Sequence, residues 1–204
     1  LMQCGLKMDY ILFDDCYMSS IEVAYDLKDV TDYLIASPTE VMVYGYPYHI
    51  IGKYLIGNFN LEGIVNGFYD FYENYAYPYA TIGVTVCSEL DDLSLIMKEI
   101  NQYCQFDRNK LNSIQRMDGY SPVIFYDMGD YVRNLCYDGN LLRRFEAQLE
   151  RVVPSNLSLH TSDFYSMSRG VVPINVFTGI TISDPSENVK AITKTETAWY
   201  KATH

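Results

Sequence analysis

The 204-residue sequence contains no run of about 18 apolar residues, and no basic segment leads into an apolar stretch at its start. No membrane span is therefore expected, and any export signal is expected to have been removed already. Positive charge is scarce: 15 Lys and Arg stand against 26 Asp and Glu, for a formal charge of -11. Phosphate backbones require clustered Lys and Arg, so nucleic acid is not an expected partner, whereas a basic peptide suits the balance. The five cysteines (Cys4, Cys16, Cys87, Cys104 and Cys136) are odd in number and include no C-x-x-C pair. That argues against both a zinc site and a disulfide scaffold. Histidine is also sparse, with His49, His160 and His204 only, all of them after Cys16. The 49% hydrophobic and 20% charged content is that of a folding chain without a disordered tract, of a length that suits one compact α/β domain. The chain opens at Leu1 without a leader, close to an apolar strand pattern, and reads as part of something longer.

Asp9 to Asp14 is a short run of β-branched and aromatic residues, the signature of a fully buried strand in a parallel sheet. Ser19 followed by Glu22 three residues on gives a capping-box pattern that opens a helix through Lys28. Asp32 to Ser37 then reads as a second strand, completing a βαβ unit with Cys16 in its strand-to-helix turn. Ligands of such sheets bind beyond the carboxyl ends of the strands, where both Cys16 and Ser37 fall. Further on, helices are expected at 48–56, 61–73, 90–103, 128–136, 141–152 and 195–202, with strands at 80–86, 171–174 and 176–182. Tyrosines 44, 46, 48, 75, 77 and 79 alternate with small residues or proline and are expected to cover a sheet edge or line a cleft.

Cys16 ends a strand, precedes a helix and is flanked by carboxylates. The start of a helix favours a thiolate, whereas neighbouring carboxylates raise the thiol pKa. An activating histidine brought close would resolve the tension, leaving the carboxylates to serve the substrate. Strand alternation would put Asp14 on the same face as Cys16 and Asp15 on the other. On physical grounds alone, Asp14 serves equally well as a cap of the turn.

The segment Ile11-Leu12-Phe13-Asp14-Asp15-Cys16-Tyr17-Met18-Ser19-Ser20-Ile21-Glu22, continuing to Lys28, resembles the nucleophile segment of the clostripain family. Asp32 to Glu40 and Gly45-Tyr46-Pro47-Tyr48 resemble that family's next block, and Ala198-Trp199-Tyr200-Lys201 its C-terminal end. The resemblance implies a caspase-like α/β/α sandwich with a mainly parallel central sheet. Residues 1–204 would form the C-terminal, nucleophile-bearing part of one peptidase domain, with a small C-terminal annex. It further implies that Cys16 is the nucleophile and that Asp14, two residues before it, helps form an S1 pocket for Arg or Lys. Asp15 stands where the family often has a small residue and is expected to point away. Ser37, Thr39 and Glu40 would form the pocket wall, with Glu40 a candidate second acid; an ordinary exposed loop is the plainer reading of that segment.

The family's histidine lies upstream of the cysteine, as in caspases by about 50 residues. It is therefore expected on a preceding light-chain segment, separated by processing. His49 is expected to be a partly buried structural residue at a helix start, and His160 to sit in a polar loop. The leading expectation is a secreted, periplasmic or cell-surface bacterial cysteine endopeptidase, made as a zymogen and cutting protein or peptide substrates after basic residues. No cofactor is expected; calcium enters by resemblance alone, since no EF-hand-like loop is present. Two alternatives stay open: an inactive peptide-binding or regulatory module of the same fold, and a hydrolase or transferase with an unrelated triad.

Overall fold

A computed structural model describes residues 4–104, 107–183 and 190–204. Elements follow in the order β1 (Met8–Leu12), α1 (Ile21–Leu27), β2 (Thr31–Ala36), α2 (Tyr48–Leu55), α3 (Leu61–Glu73), β3 (Thr81–Val86), α4 (Leu90–Tyr103), β4 (Phe125–Asp127) and α5 (Met128–Leu135). They continue with α6 (Gly139–Val152), β5 (Ser158–His160), β6 (Asp163–Ser166), β7 (Gly170–Pro173), β8 (Thr181–Ser183) and α7 (Ala198–Thr203).

The central sheet has the order β1-β2-β3-β5. Strands β1 and β2 are parallel, and β3 is antiparallel to both of its neighbours. Hence β1, β2 and β5 share one direction and β3 opposes them. Successive side chains of a strand face opposite sides, so Leu34 enters one core and Ile35 the other. On the first side lie Ile21 and Ala24 of α1, Leu93 and Met97 of α4, Phe145 and Leu149 of α6, and Trp199 of α7. On the second lie Ile51 of α2 and Ile64, Phe68 and Tyr72 of α3. The result is the expected α/β/α sandwich.

Three expectations are corrected by the packing. First, the β1 strand is shorter than Asp9 to Asp14 and is not fully buried: β2 and β3 are mostly buried, whereas β1 is at best half-buried and sits at the sheet's edge. Second, α1 is capped by Ser20, whose Oγ accepts the Val23 N–H at 3.4 Å. Ser19 instead donates its hydroxyl to the Gly179 carbonyl at 2.7 Å, and the buried Glu22 accepts the Ser183 N–H at 2.9 Å. The residues of the apparent capping box are thus spent on joining α1 to the C-terminal third of the chain.

Third, the run 176–182 is strand only from Thr181, which begins β8 and pairs with β4, while β7 pairs with β6 in a separate hairpin. The break comes at Gly179, whose φ of +78° only glycine adopts readily. Its carbonyl oxygen lies where a β-carbon on Gly83 would be, so two glycines permit this crossing over β3. Two helix starts also move for local reasons. Asp138 accepts from the Asn140 and Leu141 N–H groups and starts α6 at Gly139; Thr197 caps α7, which therefore begins at Ala198.

Candidate active site

The chain leaving β1 keeps company with the chain leaving β2. The Phe13 N–H donates to Ile35 O, Tyr17 N–H to Thr39 O and Ser19 N–H to Ser37 O, each at 3.0 Å. Between these anchors the chain turns tightly. Asp15 Oδ1 accepts the N–H of Cys16 at 2.8 Å, and Tyr17 has φ 62°, a left-handed conformation that costs a bulky residue energy. Residues 14–16 are therefore not an extension of the strand, and alternation is not what relates Asp14 to Cys16. Both reach the same segment, 41–45, from a turn.

The half-exposed Cys16 thiol accepts the Val41 N–H, with Sγ 3.3 Å from the nitrogen. Burial raises its pKa, as do the charges of Glu40, Asp15 and Asp14, while the Val41 N–H works the other way by favouring the thiolate. Of the other described cysteines, Cys4 is exposed, and the remaining three differ from Cys16. Cys87 and Cys136 are buried, burial lifts the Cys87 pKa to about 11, and burial with contact to Cys136 lifts that of Cys104 to about 11.

The Asp14 carboxylate is exposed and lies against Gly45: a β-carbon there would sit 2.8 Å from each of its oxygens. With φ +70° as well, position 45 is restricted to glycine on two counts. Tyr72 donates its hydroxyl to the Gly45 carbonyl at 2.8 Å and fixes that peptide. Burial raises the Tyr48 pKa, as do the charge of Asp14 and a hydrogen bond to it, and the same burial and charge raise those of Tyr46 and Tyr72. Three tyrosines thus feel the charge of one carboxylate. Gly45 and Val41 had no assigned role in the sequence reading, whereas Tyr48 was among the tyrosines expected to cover a sheet edge or line a cleft; a glycine set among tyrosines was a signal that side chains crowd there.

Ser37 and Thr39 are buried and point inward, their hydroxyls sharing that of Thr81 at 2.7 and 2.8 Å. Glu40 turns the other way. Its Oε1 accepts the Tyr17 hydroxyl at 2.7 Å and the Ser166 hydroxyl at 2.5 Å, and its Oε2 the Met167 N–H at 2.9 Å.

No described hydrogen bond joins a histidine to Cys16. His49 is exposed, not partly buried, and meets Tyr44 and Phe71 edge-on at ring separations of 6.3 and 6.0 Å. His160 lies in β5 and not in a loop, its ring 4.5 Å from that of Phe177 and its Nδ1 2.8 Å from Thr161 O. His204 stacks on Tyr200 at 3.9 Å. Among the described residues no three or more His, Cys, Asp and Glu side chains gather as a metal site.

The profile of the clostripain family matches residues 1–156. The whole chain superposes on a clostripain from Bacteroides thetaiotaomicron ATCC 29148 in complex with the peptide inhibitor BTN-VLTK-AOMK, with a TM-score of 0.96 and 62% identity over 100% of this chain and 90% of that one. A secreted C11 cysteine protease from Bacteroides thetaiotaomicron, "iotapain", gives the same TM-score of 0.96 and 62% identity over 100% of this chain and 57% of that chain. An inactive zymogen C11 protease from Parabacteroides distasonis superposes with a TM-score of 0.82 at 29% identity, over 98% of this chain and 59% of that chain. This chain therefore spans little more than half the length of the last two. No curated protein matches it.

Proposed function

The chain belongs to the clostripain family of cysteine peptidases, and from that premise we propose that Cys16 is the nucleophile of an endopeptidase that cuts after Lys or Arg. The histidine that completes the site comes in this reading from a preceding segment. Residues 1–204 are then the C-terminal, nucleophile-bearing part of one caspase-like domain. The observation that carries the proposal is the pairing of a half-exposed thiol, with an N–H on its sulfur, and an exposed carboxylate on the same turn. A thiolate at Sγ attacks the scissile carbonyl carbon, and the histidine then gives a proton to the leaving amine. Water hydrolyses the resulting thioester and returns the thiol. Asp14 sits two residues from the nucleophile, where its charge attracts the cation of a P1 side chain. The inhibitor of the 62% identical relative carries a peptide, VLTK, that ends in lysine, which agrees with this pocket charge.

Backbone N–H groups would hold the oxyanion; that of Cys16 donates to Asp15 Oδ1, so in this reading it serves only with Asp15 turned away. Secretion of a relative supports an extracytoplasmic bacterial location; among the described residues no helix is long and apolar enough to cross a membrane. The second reading is an inactive peptide-binding or regulatory module of the same fold. One experiment separates the two. An irreversible peptide reagent with Lys or Arg at P1 labels Cys16 and spares the other cysteines, and Cys16→Ala abolishes turnover without unfolding. Full activity in that variant overturns the endopeptidase proposal, and a folded wild type, assembled with its preceding segment, that neither reacts nor turns over establishes the inactive module.

A further inference from the structure

A carboxylate accepts hydrogen bonds in about four directions. At Glu40 three are filled from within the protein, by the Tyr17 hydroxyl, the Ser166 hydroxyl and the Met167 N–H. Ser166 is fully buried, and Met167, at the tip of the β6–β7 hairpin, is exposed. An acid so engaged has little capacity left for a substrate cation. What it does hold are the two things that place the Cys16 sulfur.

The first is a peptide plane. The N–H that meets Sγ belongs to Val41 and lies in the peptide whose carbonyl is that of Glu40. The Thr39 hydroxyl donates to that carbonyl at 3.3 Å and also shares the Thr81 hydroxyl at 2.8 Å. With the Glu40 side chain clamped at one end and Sγ at the other, the plane has no freedom to rotate. The second is the turn. Tyr17 follows the cysteine with φ 62°, a conformation that an L-residue leaves unless it is held. It is held by Glu40 at its hydroxyl, by Phe125 stacked at 5.1 Å and by Thr39 O on its N–H. Burial and Glu40 raise the Tyr17 pKa, so its hydroxyl stays a donor.

We infer that Glu40 is a positioning residue for the thiol, its carboxylate tying the Cys16–Tyr17 turn, the Val41 N–H and the β6–β7 hairpin into one unit. This rests on Cys16 being the nucleophile. Fixing the sulfur matters because a displacement of about 1 Å at a reacting group can cost about a hundredfold in rate. The same negative charge opposes the thiolate. Removing it therefore does two separable things: it loosens the sulfur and it lowers the pH at which the sulfur ionises.

The test compares wild type, Glu40→Gln, Tyr17→Phe and the double variant in the assembled enzyme. Labelling of wild-type Cys16 by a Lys-P1 reagent comes first; if it fails, the nucleophile assignment falls, a result distinct from anything the variants report. Glu40→Gln is expected to lower kcat about 10- to 100-fold on Lys-P1 and neutral-P1 substrates alike, with KM moving by less than about threefold. Its midpoint for Cys16 alkylation by iodoacetamide should shift to lower pH. Tyr17→Phe should lower kcat with no such shift, and the double variant should lose less than the product of the single losses. A loss confined to Lys-P1 substrates and expressed in KM would make Glu40 a reader of the substrate and overturn the inference. So would wild-type kcat per folded molecule in Glu40→Gln. Should that variant fail to fold, wild-type kcat in both Tyr17→Phe and Ser166→Ala overturns it.

Discussion

At Asp14 the charge proposed to face substrate rests against Gly45, a residue with no side chain to give way. Asp14→Asn keeps the size and removes the charge. Losing a charged hydrogen bond costs about 1.5–3 kcal/mol, or roughly 10- to 150-fold in kcat/KM. Because Asp14 is exposed and shares its charge with water until substrate covers it, the lower part of that range is expected for Lys or Arg at P1. Neutral P1 substrates should lose far less; equal losses on both would make Asp14 a structural cap. Gly45→Ala should mimic that selectivity while leaving Asp14 charged, since its β-carbon would displace the carboxylate. The neighbouring acid acts in the opposite sense. Asp15→Ala frees the Cys16 N–H and removes one of the charges that raise the thiol pKa. More thiolate is then present at neutral pH, so Cys16 alkylation should speed up at pH 7 and its midpoint should fall. Rates of iodoacetamide labelling across pH check this, and an unchanged profile would refute it.

At the scale of elements, the site depends on a crossing of chains that two glycines permit. Gly83 of β3 lies under the Gly179 carbonyl, which also receives the Ser19 hydroxyl just beyond the Cys16 turn. Gly83→Ala forces these apart. Overpacking of this kind costs about 1–3 kcal/mol, and a chain of this size loses about 2–4 °C in Tm for each kcal/mol. Calorimetry should show that fall, and an unchanged Tm would mean that the crossing relaxes freely. This crossing was not legible in the sequence, because what demands a glycine at position 83 is a carbonyl contributed from 96 residues further on. What was legible is local. Helices α3 and α4 match the apolar period residue for residue, and β1, α1 and β2 form the expected unit around Cys16. The three-residue strands β4 and β5 were missed because a period of two needs more residues to declare itself. Ser19 and Glu22 misled for the reverse reason, since a pattern read as capping serves tertiary contacts. At the site, the turn carrying Cys16 was visible, whereas Asp14 was read as strand, and the engagement of Glu40 depends on Ser166 and Met167, far away in sequence.

For the whole molecule the informative feature is the free side of β1. It is the edge of the central sheet, and among the described residues no strand pairs with its outer side. Its side chains feed both cores, Ile11 one and Tyr10 and Leu12 the other, yet none of them is fully buried. Natural proteins cover, charge or shorten such an edge, and here only Asp9 is a charged residue within the strand. A partner strand on that side would finish burying the three apolar residues. It would also reach the carboxyl end of β1, next to Cys16, where a histidine is needed. The preceding segment is therefore proposed to lay its strand beside β1 and to carry its histidine after that strand. If the two parts arise from one zymogen cut after its own Lys or Arg, the native protein gives two chains on denaturing electrophoresis, and mass spectrometry finds a basic residue at the new C-terminus. The Cys16→Ala form should remain one longer chain, to be cut in trans when wild-type enzyme is added. Identical cleavage of the variant on its own would assign the cut to another protease. If residues 1–204 alone stay monodisperse and hydrolyse peptides with no other polypeptide present, the two-part arrangement fails, and replacement of His49 becomes the decisive experiment.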